Sequence, residues 1–143
     1  MKIRQGFVSN SSTCSFMIYG VRDPEINIAK LLEGKEVEWY KWYATQQASH
    51  PSYYPNTTFE EWCDNLIDDV GLEDATWSLE NNFGLSIDLE SYQTDWGLYI
   101  GQGPRDMGDD ETMGEFKERI RQDIAKIADG DIECAWHEEV YSC

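Results

Sequence analysis

The sequence predicts an α+β fold: a single acidic domain over residues 1–143, with a mostly antiparallel sheet of about four to six strands and two longer helices packed on one face. Three observations carry that expectation. Thr58–Glu61 and Thr112–Glu115 are capping-box sequences, and each opens an apolar stripe of helical period. The segments between and after them alternate apolar with polar residues, the period of a half-buried strand. The chain is 41% hydrophobic, with 6 Trp, 8 Tyr and 5 Phe, which supplies one core and argues against disorder in spite of a formal net charge of −17.

Taken in order, residues 5–15 are polar and hydroxyl-rich and read as a loop, followed by a strand at Phe16–Tyr19 bounded by Gly20. Asp23-Pro24 suits the start of a short helix, with Ile28, Leu31 and Leu32 on its inner side and Gly34 closing it. Lys35 to Trp42 sets Val37, Trp39 and Lys41 on one side against Glu36, Glu38, Tyr40 and Trp42 on the other, which fits strand or helix and favours strand. Residues 44–57 hold two prolines and no apolar period, so a loop is expected there, with Tyr53 and Tyr54 at the surface. The stripe Phe59, Trp62, Cys63, Leu66, Ile67 and Val70 predicts a helix buried against a sheet and stopped at Gly71.

Residues 75–101 read as a three-strand meander: Thr76–Glu80, a turn at Asn81–Gly84, Leu85–Tyr92, a turn near Thr94-Asp95, and Trp96–Gly101. In the middle strand Leu85, Ile87 and Leu89 would be buried, leaving Asp88 and Glu90 on a wet acidic face. Met113, Phe116, Ile120, Ile124 and Ile127 mark the inner face of the longest helix, ended by Gly130, and Ile132, Cys134 and Trp136 begin a last strand running to about Tyr141.

Charge narrows the function. The first 22 residues hold Lys2, Arg4 and Arg22 and no acid, whereas eleven carboxylates and no Lys or Arg lie between Lys41 and Arg105. Such a surface repels nucleic acid and acidic lipid and steers basic surfaces toward itself. No apolar run reaches the about 18 residues of a membrane span, and the N-terminus lacks the apolar core of a signal peptide, so a reduced, cytoplasmic protein with four separate cysteines is expected.

Gly6–Phe16, GFVSNSSTCSF, resembles the opening of small proteins of bacteriophages and some bacteria that typically begin GFVSNSSSSSF. Tyr99–Ile120, YIGQGPRDMGDDETMGEFKERI, resembles a second segment that recurs in them. That group has no agreed activity, so the resemblance implies a phage-type origin rather than a reaction. Thr13 and Cys14 interrupt the serine run here. Read physically, such a run before a strand forms Asx- and Ser-type turns with its own backbone.

Catalytic signatures are missing from the sequence: neither His50 nor His137 lies in a nucleophile motif, and there is no Gly-x-Ser-x-Gly or phosphate-binding loop. Cys134 and His137 have zinc-like spacing but would point to opposite faces of a strand, which favours a buried Cys134 beside a partly exposed His137. Gly108–Glu111 lacks the spaced oxygens of a calcium loop, and its acids suit the positive end of the following helix. No cofactor, catalytic residue or metal is therefore expected.

The remaining signal is the arrangement of acids. Glu60, Glu61, Asp64 and Asp68 lie along a helix away from its apolar stripe, Asp69, Glu73 and Asp74 cluster at its end, and Asp88 with Glu90 line a sheet face. The expectation is an interaction protein that binds and inhibits a basic, nucleic-acid-handling host protein by presenting carboxylates as nucleic acid presents phosphates. It would contact neither nucleic acid nor membrane directly, and self-association is compatible with it. The alternative is a structural or assembly module that docks a partner through Trp39, Trp42, Tyr53 and Tyr54 while its acids serve solubility.

Overall fold

The computed structural model describes residues 2–4 and 13–142. The serine-rich run at 5–12 lies outside them. The fold is α+β, and the chain forms two compact units: residues 1–26 with 87–143, and residues 27–86.

The first unit is built on a five-stranded sheet of β1 (Lys2–Arg4), β2 (Thr13–Arg22), β4 (Glu90–Thr94), β5 (Gly97–Gln102) and β7 (Ala135–Ser142). Their order is β1-β4-β5-β2-β7, with β1 parallel to β4 and every other pair antiparallel. β3 (Glu25–Ile26) and β6 (Ala128–Asp129) form a separate two-stranded ribbon. Helix α4 (Met113–Ala125) packs on β2 and β5 through the buried Phe116, Ile120 and Ile124. Its start is the expected box: Thr112 Oγ1 accepts from the Glu115 amide at 3.1 Å, and the Glu115 carboxylate accepts from the Thr112 amide at 3.2 Å.

Alternation along β2 sends Tyr19 and Val21 to the face that α4 covers, with Ile100 and Gln102 of the neighbouring strand. Phe16 and Ile18 go to the other face, where Phe16 stacks on Tyr92 at 4.6 Å and meets Tyr99 at 5.1 Å. Gly20 does not end the strand. It sits inside β2, opposite Gly101.

The second unit is helical. Helix α1 (Ile28–Leu31) is a single turn that follows Asn27 rather than Pro24, because Glu25 and Ile26 pair as β3. Helix α2 (Glu36–Ser49) replaces the strand expected at 35–42 and takes in the first part of the loop expected at 44–57. Its buried and half-buried positions are Trp39, Trp42, Tyr43, Gln46 and Gln47, a helical period. The apparent alternation arose because large aromatics stand on both sides of the segment.

Helix α3 (Phe59–Phe83) runs through two features expected to interrupt it. Gly71 bends it, with φ 84° and ψ 163°, but the helix resumes beyond. Thr76–Glu80 is accordingly helix, not strand, and Asn81-Asn82 is its last turn, not a hairpin. The true stop is Gly84, in the left-handed conformation at φ 65° and ψ 25°. Residues 85–89 carry no regular structure, and the strand there begins only at Glu90. Buried Phe59, Cys63 and Leu66 before the bend, and Ala75, Leu79 and Phe83 after it, form an inner stripe that packs on α1 and α2. At the far end, α4 stops at Ala125 rather than Gly130, and β7 starts at Ala135 rather than Ile132.

Candidate interaction surface

The site of interest lies within the helical unit, where α2, the segment 50–57 and α3 meet. Trp39 is its anchor. Expected at the surface, Trp39 is instead buried, stacked on Tyr43 at 4.8 Å with the edge of Phe59 at 5.3 Å and Trp62 at 5.7 Å. Beside it, half-buried Trp42 meets Trp62 at 5.7 Å and Phe83 at 5.3 Å. Edge-to-face pairs of this kind each stabilise by about 0.5–1.5 kcal/mol beyond area burial.

The connecting segment is pinned to this cluster. The Tyr43 hydroxyl donates to the Pro55 carbonyl at 2.5 Å, Gln47 Nε2 donates to Asn56 Oδ1 at 3.0 Å, and the Tyr53 and Tyr54 amides both donate to the His50 carbonyl. Tyr54 packs against Trp42 and Tyr43, leaving Tyr53 free at 82% exposure. The segment ends at the Thr58 cap, whose Oγ1 accepts from the Glu61 amide at 3.1 Å. The Glu61 carboxylate does not close a box, accepting instead from the Thr57 hydroxyl at 3.2 Å.

From that cap α3 carries its acids outward. Glu60, Glu61, Asp64, Asp68, Asp69, Glu73 and Asp74 are all exposed. Among the described residues none of the seven is ion-paired with a Lys, Arg or His. Their field reaches inward: the Cys63 thiol is pushed up to about 12, first by burial and then by Asp64, Glu60 and Glu36. The helix sorts them into rows four residues apart. Glu60, Asp64 and Asp68 form one row; Glu61, Asn65 and Asp69 form the next.

The second row borders a groove of about 920 Å³. Trp42, Tyr43, Trp62 and Leu66 line it, together with Tyr53 and Tyr54. Past the bend at Gly71, Asp74, Trp77 and Ser78 also line it. Trp77 was not singled out from sequence. Its signal was the spacing 74, 77, 78, visible only once the segment is read as helix.

The other two expected acids lie elsewhere. Asp88 and Glu90 belong to the sheet-containing unit. Asp88 is exposed in the segment before β4, where its backbone carbonyl accepts from Gln102 Nε2. Glu90 does not line a wet face: it is 5% exposed and accepts from the Tyr92 hydroxyl at 3.3 Å. A residue inside a β-strand that packs beside aromatics on the same face is buried whatever its charge, and the tyrosine hydroxyl partly compensates it. Glu139 is held in the same way, accepting from Tyr99 and, at 3.0 Å, from Thr94 Oγ1.

Cys134 is half-buried ahead of β7 rather than fully buried, and burial raises its thiol, with Arg121 opposing and Glu118 adding. His137 is half-buried in β7 with its ring 5.3 Å from Tyr99. Among the described residues no three His, Cys, Asp or Glu side chains converge as a metal site would require. Nor, among them, is any helix long and apolar enough to cross a membrane. In comparisons with known proteins, the chain matches no family model, no curated protein and no solved structure.

Proposed function

We propose that this chain is a phage-type interaction protein that binds a basic, nucleic-acid-handling host protein through the outer surface of α3 and blocks it by nucleic-acid mimicry. One observation carries the reading: the spacing of exposed carboxylates on α3. Glu60, Glu61, Asp64, Asp68 and Asp69 fall within about 13.5 Å of helix axis at 1.5 Å per residue. Their axial steps are uneven, about 1.5, 4.5, 6 and 1.5 Å, but five negative charges occupy a length over which one nucleic-acid strand at about 3.4 Å per phosphate carries the same number. Lys and Arg side chains that neutralise phosphates would find charges at the same density.

Replacing Asp64, Asp68, Asp69 and Asp74 by Asn and Glu73 by Gln together tests this. Partner binding is expected to fall steeply, because a mimic loses its charge spacing. Retained binding would count against mimicry. The competing reading, docking through aromatics with acids serving solubility, draws on the exposure of Tyr53 and no longer includes the buried Trp39. It predicts loss on Tyr53→Ala with Tyr54→Ala and none on acid replacement.

A further inference from the structure

The acids and the aromatics, weighed above as rivals, meet in the groove of the helical unit. We infer that this groove is an arginine-binding site, which takes guanidinium side chains of an extended segment of the basic partner. The inference rests on the basic-partner reading and specifies where that partner is gripped.

Charge complementarity selects the occupant. Three of the seven exposed α3 acids, Glu61, Asp69 and Asp74, border the groove, and among the described residues no Lys or Arg lines it. Glu60, Asp64, Asp68 and Glu73 do not border it. Ring chemistry then separates one cation from another. Trp42, Trp62, Trp77 and Tyr53 line the groove, and aromatic rings attract a flat, weakly hydrated cation, whereas carboxylates beside them would accept its paired N–H donors. Lysine has the charge without the plane or the fork. A neutral apolar peptide would leave the three carboxylates facing its apolar side chains. A nucleic acid would meet like charge. The volume, about 920 Å³, exceeds what one side chain fills and suits a short stretch of chain.

The test uses the full-length protein with capped hexa-arginine and hexa-lysine as probes, titrated calorimetrically at low salt, with the tryptophan indole N–H signals followed by NMR. Hexa-arginine is expected to bind about fivefold or more tighter than hexa-lysine and to shift the Trp77 indole signal. Trp77→Ala with Tyr53→Ala, both at positions exposed enough to truncate without opening the core, should abolish that preference, weakening hexa-arginine more than hexa-lysine. Glu60→Gln, Asp64→Asn and Asp68→Asn together should weaken both peptides alike. Equal binding of the two peptides by the native protein, unaffected by the aromatic substitutions, would overturn the groove assignment and leave the acidic-surface reading standing. Failure of both peptides to bind at low salt would overturn the groove assignment and the acidic-surface reading together.

Discussion

Gly20 of β2 and Gly101 of β5 stand opposite one another with their backbones in such close approach that neither position can carry a side chain. A Cβ on Gly20 would overlap the Ile100 carbonyl oxygen and come within 2.7 Å of Gly101 Cα; one on Gly101 would overlap the Tyr19 carbonyl oxygen. The obstacles are backbone atoms, which cannot rotate away. Gly20→Ala and Gly101→Ala are each expected to destabilise the sheet unit by about 1–3 kcal/mol or more. The double variant should cost less than the sum, since both open the same strand pair. Chemical denaturation of the three variants checks this; strictly additive costs would contradict it.

Arg119 and Glu111 make a forked pair that ties α4 to the loop before it. Nε and Nη2 of Arg119 each donate to the Glu111 carboxylate at 2.9 Å, and Nη1 donates to Gln102 Oε1 of β5 at 2.8 Å. The Arg119 hydrogen bonds, then the Gly108 amide, hold the Glu111 carboxyl down at about 2. Because the folded value lies below the unfolded one of about 4.3, the pair's stabilisation is present above that value and disappears as pH falls through about 2. Wild-type protein should therefore be more stable than Glu111→Gln at pH 6, with the difference shrinking progressively between about pH 4.3 and 2. A difference independent of pH over that range would contradict it.

Gly71 holds α3 bent in a backbone region that only glycine occupies without strain, and a Cβ there would meet nothing within 4 Å. The expected cost of Gly71→Ala is thus conformational alone, about 1–3 kcal/mol. It should also move Asp74 and Trp77 away from the first half of the groove, so that the Trp77 indole signal shifts in the free protein. An unchanged spectrum and stability would show that the bend is not set by this residue.

Legibility from sequence followed how local the determining physics is. Helix α4 was readable because its cap, stripe and polar face agree within fourteen residues, from Thr112 to Ala125. The turn expected near Thr94-Asp95 falls at Asp95-Trp96, and the strand after it, expected at Trp96–Gly101, runs Gly97–Gln102. Helix α2 was not: Trp39, Tyr40, Trp42 and Tyr43 offer apolar surface on most sides, and only packing against Phe59 and Trp62 decides which face turns inward. Beyond Gly71 the β-favouring Thr76 and Trp77 and the turn-like Asn81–Gly84 pointed to strands, but tertiary contacts of Ala75, Leu79 and Phe83 outweighed them. The acids of the candidate site were visible as residue types at helical spacing, except that Glu90 needed the sheet to show it buried. The groove was invisible, because three separate segments build it.

The most direct measurement is a pull-down from host-type cell lysate at low salt, repeated with excess competing DNA and again at high salt, with bound proteins identified by mass. The account predicts capture of a nucleic-acid-handling protein that is released by DNA and by salt, as expected when carboxylates replace phosphates on the same basic groups. Capture insensitive to both, or no capture, would contradict it.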